Sequence, residues 1–189
     1  HECSITGYTF LQGLSKAELE EIAEPVPEGP STEALIGIAR KAGIVVMAGL
    51  IDRDESGRLG KCYAVVGPDG FIARQHKLHP FIYPAISTGP GYLVIDILGV
   101  KVGILICYDN NLPENVRATT LMGAEVIVMP HVTGGTPSTM PGRGTVDRAL
   151  WDNRERDPVR LRREFQGPKG REWLMRWLPA RCWENGVFG

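Results

Sequence analysis

Cysteine is scarce and scattered in this chain: four residues, at 3, 62, 107 and 182, with no CxxC among them. That spacing argues against a disulfide framework or a zinc ribbon and reads as four thiols. No apolar run approaches the length of a membrane span, and no basic start leads into an apolar signal core, so a cytoplasmic protein is expected. Charge of one sign is missing too. The formal net charge of -1, from 21 Lys and Arg against 22 Asp and Glu, gives no electrostatic reason to bind nucleic acid or an anionic membrane surface. Internal repeats are absent. What is there, 189 residues at 43% hydrophobic and 23% charged, is the composition of a globular protein with one real core.

Local signals then order the chain. Ser15-Lys16-Ala17-Glu18 is a capping box, flanked by Leu14 and Leu19 at the positions of a hydrophobic staple, so a short helix is expected from residue 16. Pro25, Pro27, Gly29 and Pro30 end it. Ser31 is then read as the N-cap of a second helix, whose apolar positions Leu35, Ile38, Ala39 and Ala42 share one face and which stops at Gly43. Strands are expected over 44–51 and 63–66, with Pro68-Asp69-Gly70 turning the second into a hairpin partner, 71–76. Residues 78–91 are rich in Pro, Gly, Ser and Thr and interleaved with Phe81 and Tyr83, with Tyr92 just beyond; the composition reads as a surface loop.

The stretch from Gly99 to Pro130 organises the rest. Val100, Val102, Ile104, Leu105 and Ile106 read as a strand buried on both faces, paired antiparallel with 93–98 across Gly99 and ending at Cys107. Polar turn residues Asp109, Asn110 and Asn111 lead to Pro113 and Glu114, which open a helix just past the thiol; Gly123 closes that helix and 125–130 returns as a parallel strand. The sheet is therefore mixed, and chemistry is expected at the carboxyl end of its strands. A Gly- and Pro-containing stretch and an Arg-rich helical region follow, and 134–170 reads as an inserted flap. A last helix carries Trp173 and Trp177, tryptophans expected in the core or at subunit contacts, and is interrupted at Pro179. The start at His1 and the stop at Gly186-Val187-Phe188-Gly189, a helix-ending glycine and the opening of a strand, read as cuts in a longer chain.

Three residues stand out, and each has a plain reading. Cys107 is either a small buried hydrophobe or a thiol activated by the helix start, a base and a cation. Lys77, at the end of the hairpin, is either a solvated lysine or that cation, and Glu2 is either a frayed terminal residue or the base. His76 and His79 could point to metal, but they lack a third ligand at sensible spacing.

Taken together the local texts are more specific. Glu2 in ECSITGY, Lys77 in RQHKLHPF and Cys107 in GILICYDNNLPENVRATTLMGAEVIVMP resemble the three motifs of the nitrilase superfamily of carbon-nitrogen hydrolases. The resemblance covers essentially the whole chain as one domain, 1–189, and implies an α-β-β-α sandwich of two mixed sheets, here truncated at both termini. It implies a Glu-Lys-Cys triad acting on a small amide, nitrile or carbamoyl compound, no cofactor, no metal and a homo-oligomer. It places Tyr108, His131, Thr133 and Gly134 at the substrate pocket. Tyr108-Asp109 after the cysteine looks like the amidase and carbamoylase branches. The chain departs from the family pattern in having His1 before the glutamate and no Asp or Glu between Leu78 and Tyr92. The competing reading is an inactive interaction unit of the same fold, since missing strands would expose sheet edges.

Overall fold

A computed structural model describes residues 1–80, 84–132 and 137–189. The chain divides into two compact units, residues 1–132 with Phe188, and residues 133–187 with Gly189. The first unit contains the sandwich. Its strands are β1 (Val46–Arg53), β2 (Leu59–Gly67) and β3 (Gly70–His76) in one antiparallel sheet, and β4 (Val94–Ile97), β5 (Val100–Ile104) and β6 (Val126–Val128) in the other. In the second sheet β5 is central, antiparallel to β4 and parallel to β6, so the expected mixed sheet is present.

Side-chain alternation along β2 shows how the layers meet. Tyr63 and Val65 pack with Ile104 and Ile106 between the two sheets, while Ala64 and Val66 point the other way. Val66 there joins Leu35 and Ala39 of α2 (Pro30–Ala42) against the outer face of the first sheet. On the far side α3 (Pro113–Leu121) lies so close to β5 that a Cβ on Gly103 would fall 2.3 Å from Thr119 Cγ2. This is the α-β-β-α arrangement expected from the resemblance.

The helix ends follow local chemistry, with one correction. The capping box at Ser15 is formed, and α1 (Lys16–Ile22) follows it, with Leu14 packed against the cluster that holds Leu19. Ser31 is not the cap of α2. Gly29 takes that position and Pro30 opens the helix, because the Glu24 carboxylate accepts from both Ser31 N and Ser31 Oγ, at 2.7 and 2.6 Å. Gly43 ends α2 in the left-handed conformation, φ 66°.

The strands shift from their expected ranges for reasons of pairing. β1 and β2 run longer toward the 54–58 turn because the ladder continues to Arg53 and Leu59, and polar residues there are tolerated once their backbone is paired. β5 is buried only in its second half; Val100 and Lys101 are exposed beside the Leu98-Gly99 turn. The expected strand opening near the end of the chain is one residue deep: Phe188 pairs in parallel with Val126.

The second unit holds α4 (Arg148–Asp152), α5 (Pro158–Gln166), α6 (Arg171–Met175) and α7 (Leu178–Asn185), of which α5 starts at the expected Asp157-Pro158. Pro179 sits in the first turn of α7, so the break falls before it rather than at it. None of these helices carries a fully buried residue. Trp173 and Trp177 are half-buried, not core, and Trp173 lies under the Arg143 guanidinium at 4.8 Å. Among the described residues no helix is long and apolar enough to cross a membrane.

Ile104 is fully buried between the sheets. Ile104→Ala is expected to lower the free energy of unfolding by about 2 to 5 kcal/mol, read from urea denaturation; a loss well under 1 kcal/mol would mean that the inter-sheet core tolerates a cavity there.

Candidate active site

The amino-terminal segment is fastened before any chemistry is considered. Cys3, Tyr8 and Leu11 are buried in one cluster with Leu19, Ala23, Ile51 and Leu59, which ties the segment to α1, β1 and β2. Ile5 N donates to Gly49 O at 3.0 Å, and Gly49 N donates to Ser4 Oγ at 3.0 Å. Gly49 has to be glycine, because a Cβ there would lie 1.8 Å from the carbonyl oxygen of Glu2. The frayed-end reading of Glu2 is therefore overturned: the residue is 1% exposed.

Glu2 meets Lys77, 75 positions away. Lys77 Nζ donates to Glu2 Oε1, and Lys77 is itself 1% exposed, so it is not a solvated lysine. Its backbone is held on both sides, with Lys77 N donating to Lys61 O and Gly89 N donating to Lys77 O, both at 2.8 Å.

Cys107 completes the cluster at a strained elbow. Its φ is 53°, a left-handed conformation uncommon for a residue with a Cβ, and such outliers persist only where neighbours impose them. Here the neighbours are specific. Cys107 N donates to Pro130 O at 2.8 Å, and the Asn110 amide donates to Leu105 O at 2.7 Å and to Cys107 O at 3.2 Å. The fully buried Asp109 carboxylate accepts from Ile106 N, Leu78 N and His79 N at 3.2, 3.1 and 2.9 Å. One side chain thus joins the cysteine elbow to the residues that follow Lys77.

The thiol does not sit at the start of an α-helix. Residues Cys107–Asn111 form a short 3-10 turn and α3 begins only at Pro113, so the helix dipole is not what acts on the sulfur. Burial pushes the Cys107 thiol up to about 11, the Glu2 charge adds to the rise, and Lys77 and a hydrogen bond from the Val132 backbone pull the other way. At neutral pH this balance favours the protonated thiol. The arrangement sets a protonated thiol beside the Glu2 carboxylate.

His76 and His79 are directed to different carboxylates: His76 Nε2 is 2.7 Å from Asp52 Oδ2, and His79 Nδ1 is 3.1 Å from Asp109 Oδ1. Three contributors escaped the sequence reading. Gly49 in a strand was a signal of close backbone approach, and Lys61, on an otherwise apolar strand, was a signal of a buried charge. The Val132 N–H had no signal at all.

This arrangement has counterparts. The carbon-nitrogen hydrolase family model matches residues 2–189. The chain belongs to the carbon-nitrogen hydrolase family. Among known relatives, a nitrilase of Pyrococcus abyssi is 38% identical over 143 residues, 73% of this chain and 53% of that protein. An (R)-stereoselective amidase of a Pseudomonas species is 33% identical over 64% of this chain and 44% of its own. An amidase from a Nesterenkonia species shares the fold, with a TM-score of 0.59 and 20% identity over 96% of this chain and 57% of that one. This carbon-nitrogen hydrolase chain thus spans about half the length of the relatives it matches.

Within it, the residues assigned to substrate fall differently. Tyr108 is partly exposed, its ring edge-on to His79 at 6.3 Å between centroids. His131 Nδ1 lies 2.7 Å from Met129 O, and burial holds the imidazole below its ordinary pKa, hence neutral at pH 7; Lys77 and Glu2 also act on it. Thr133 and Gly134 lie outside the described residues.

Two measurements follow from this geometry. Gly49→Ala is expected to displace Glu2 and cost about 1 to 3 kcal/mol of stability; an unchanged melting temperature would show that the segment has room to spare. The second concerns alkali. Cys107 titrates from an ordinary 9.0 up to about 11 in the fold, so above the unfolded value unfolding releases a proton and stability falls as pH rises toward the folded one. The drop in urea midpoint between about pH 8 and about pH 10.5 is expected to be smaller in Cys107→Ala than in the parent. Equal drops would place the thiol at its ordinary pKa.

Proposed function

We propose that this chain hydrolyses a non-peptide carbon–nitrogen bond of a small amide through a thioester on Cys107. The observation that carries this reading is the convergence of Glu2, Lys77 and Cys107 in one cluster from three distant parts of the sequence. Glu2 takes the thiol proton as the sulfur attacks the carbonyl carbon, and the carbonyl π pair moves to oxygen. Lys77 and the N–H of Tyr108, the residue after the nucleophile, donate to that oxyanion, an effect worth roughly 3 kcal/mol per donor. Glu2 then returns its proton to the departing nitrogen as the carbon–nitrogen bond breaks. Water attacks the thioester with Glu2 again as base; the carbon–sulfur bond breaks, the acid leaves and the sulfur recovers its proton.

Tyr108 and His131 border the thiol in this reading, and Thr133 and Gly134 follow on the same segment. An amide is favoured over a nitrile by Tyr108-Asp109 after the cysteine; the relatives include both a nitrilase and amidases. A cytoplasmic setting agrees with four free thiols. Self-association belongs to the same reading and is supported by Leu121 and Met122, exposed where α3 ends.

Short aliphatic amides and the matching nitriles serve as probes. Cys107→Ala is expected to abolish hydrolysis with the fold intact, and Lys77→Ala to lower turnover about a hundredfold or more and to raise the thiol pKa. Mass spectrometry of the parent mixed with amide should show an acyl adduct on the Cys107 peptide. Appreciable hydrolysis by Cys107→Ala would overturn the assignment.

A further inference from the structure

β2 carries a lysine where its neighbours are apolar. Positions 61, 63 and 65 share the face turned toward the second sheet, and at 63 and 65 stand Tyr and Val, packed between the sheets. Lys61 is 2% exposed. An ammonium taken out of water costs several kcal/mol unless it is compensated, so its surroundings decide its role. Its Nζ lies 3.6 Å from Glu2 Oε1 and 4.4 Å from the centroid of the Tyr8 ring, a carboxylate and an aromatic face that both favour a cation. The Cys62–His76 register sets Lys61 opposite Lys77, and Lys77 N donates to Lys61 O. Like charges directly opposite on neighbouring strands repel. Here both ammonium groups are drawn to one oxygen, Glu2 Oε1, while Glu2 Oε2 is buried with no hydrogen-bond partner among the described residues.

We propose that Lys61 is a positioning residue for the reaction: with Lys77 it anchors Oε1, so that Oε2 is the atom presented to the Cys107 proton, and its charge offsets the one that appears on sulfur. This rests on the reading of Glu2 as base and Cys107 as nucleophile. With the thiol neutral, Glu2, Lys61 and Lys77 sum to one positive charge; passing the proton to Glu2 moves the negative charge to sulfur at that same total, and losing it to solvent brings the cluster to neutrality. Without Lys61 the same ionisation leaves a net negative charge in a site largely shielded from water, which is the costlier state. The groups facing the Lys61 ammonium agree with this account. Burial, the largest influence, pulls it below its ordinary pKa and Lys77 pulls the same way, whereas the Glu2 carboxylate holds the charge in place and Cys3 and Cys107 add to that once ionised. Linkage is reciprocal: if the Cys107 thiolate favours the charge on Lys61, that charge favours the thiolate equally.

The test compares the parent with Lys61→Met, similar in length and uncharged, and Lys61→Arg, which keeps the charge. Alkylation by iodoacetamide is read peptide by peptide against pH, together with amide turnover. At a fixed pH below the thiol midpoint, Lys61→Met is expected to alkylate Cys107 about tenfold more slowly, the effect of about one pKa unit, with Cys182 unchanged. It should lower kcat with little change in KM, because Lys61 does not touch substrate, and Lys61→Arg should recover most of both losses. Lys61→Gln repeats the measurement should methionine not be accommodated. A folded neutral variant whose Cys107 profile superimposes on the parent's overturns the proposal. If instead Cys107→Ala retains turnover, it is the nucleophile reading that fails; if Cys107→Ala is dead and Lys61→Met behaves as the parent, only the role of Lys61 falls.

Discussion

The Glu2 carboxylate, buried between the ammonium groups of Lys61 and Lys77, is the interaction on which the rest of this structure depends. Two lysines on neighbouring strands could not both enter the space between the sheets without a negative charge, and a lone carboxylate could not enter it without them. The packing around the cluster serves this pairing. Cys3, Tyr8 and Leu11 bury the segment that carries Glu2, and Gly49 lets its backbone lie against β1. Removing Glu2 would leave two buried ammonium groups uncompensated, which is why the site and the core are the same object here.

A second constraint holds the sulfur. Cys107 keeps a left-handed backbone because Asn110 and Asp109 bond the elbow from both sides, and Asp109 also bonds the two residues after Lys77. The Cys107 elbow and the chain that follows Lys77 are therefore joined by one side chain. Their electrostatics are those of a resting thiol: burial and the neighbouring carboxylate keep the proton on sulfur, up to about 11. A neutral thiol resists oxidation and adventitious alkylation better than a standing thiolate.

Local signals were readable where the local chain decides. The Ser15 capping box, the Gly43 stop, the Pro113 helix start and the two hairpins involve residues within a few positions of one another, and all formed as expected. Errors arose where a distant group intervened. Ser31 lost its capping role to the Glu24 carboxylate, and β1 and β2 extended because each supplied the other's ladder. Of the two places expected for the tryptophans of the second unit, core or subunit contact, the core is not where Trp173 lies: it is half-buried beneath an arginine.

By itself the sequence determined the order of the elements and the mixed character of the second sheet, because each is written in a short stretch of chain; the candidate trio Glu2, Lys77 and Cys107 came from the resemblance of three short texts to the family's motifs. Only the tertiary structure decided that Glu2 is anchored, that Lys61 lies beside it, and that burial raises the Cys107 thiol. Those outcomes depend on burial and on charges brought within a few ångströms of one another from distant positions. Neither quantity exists until the two sheets have closed on each other.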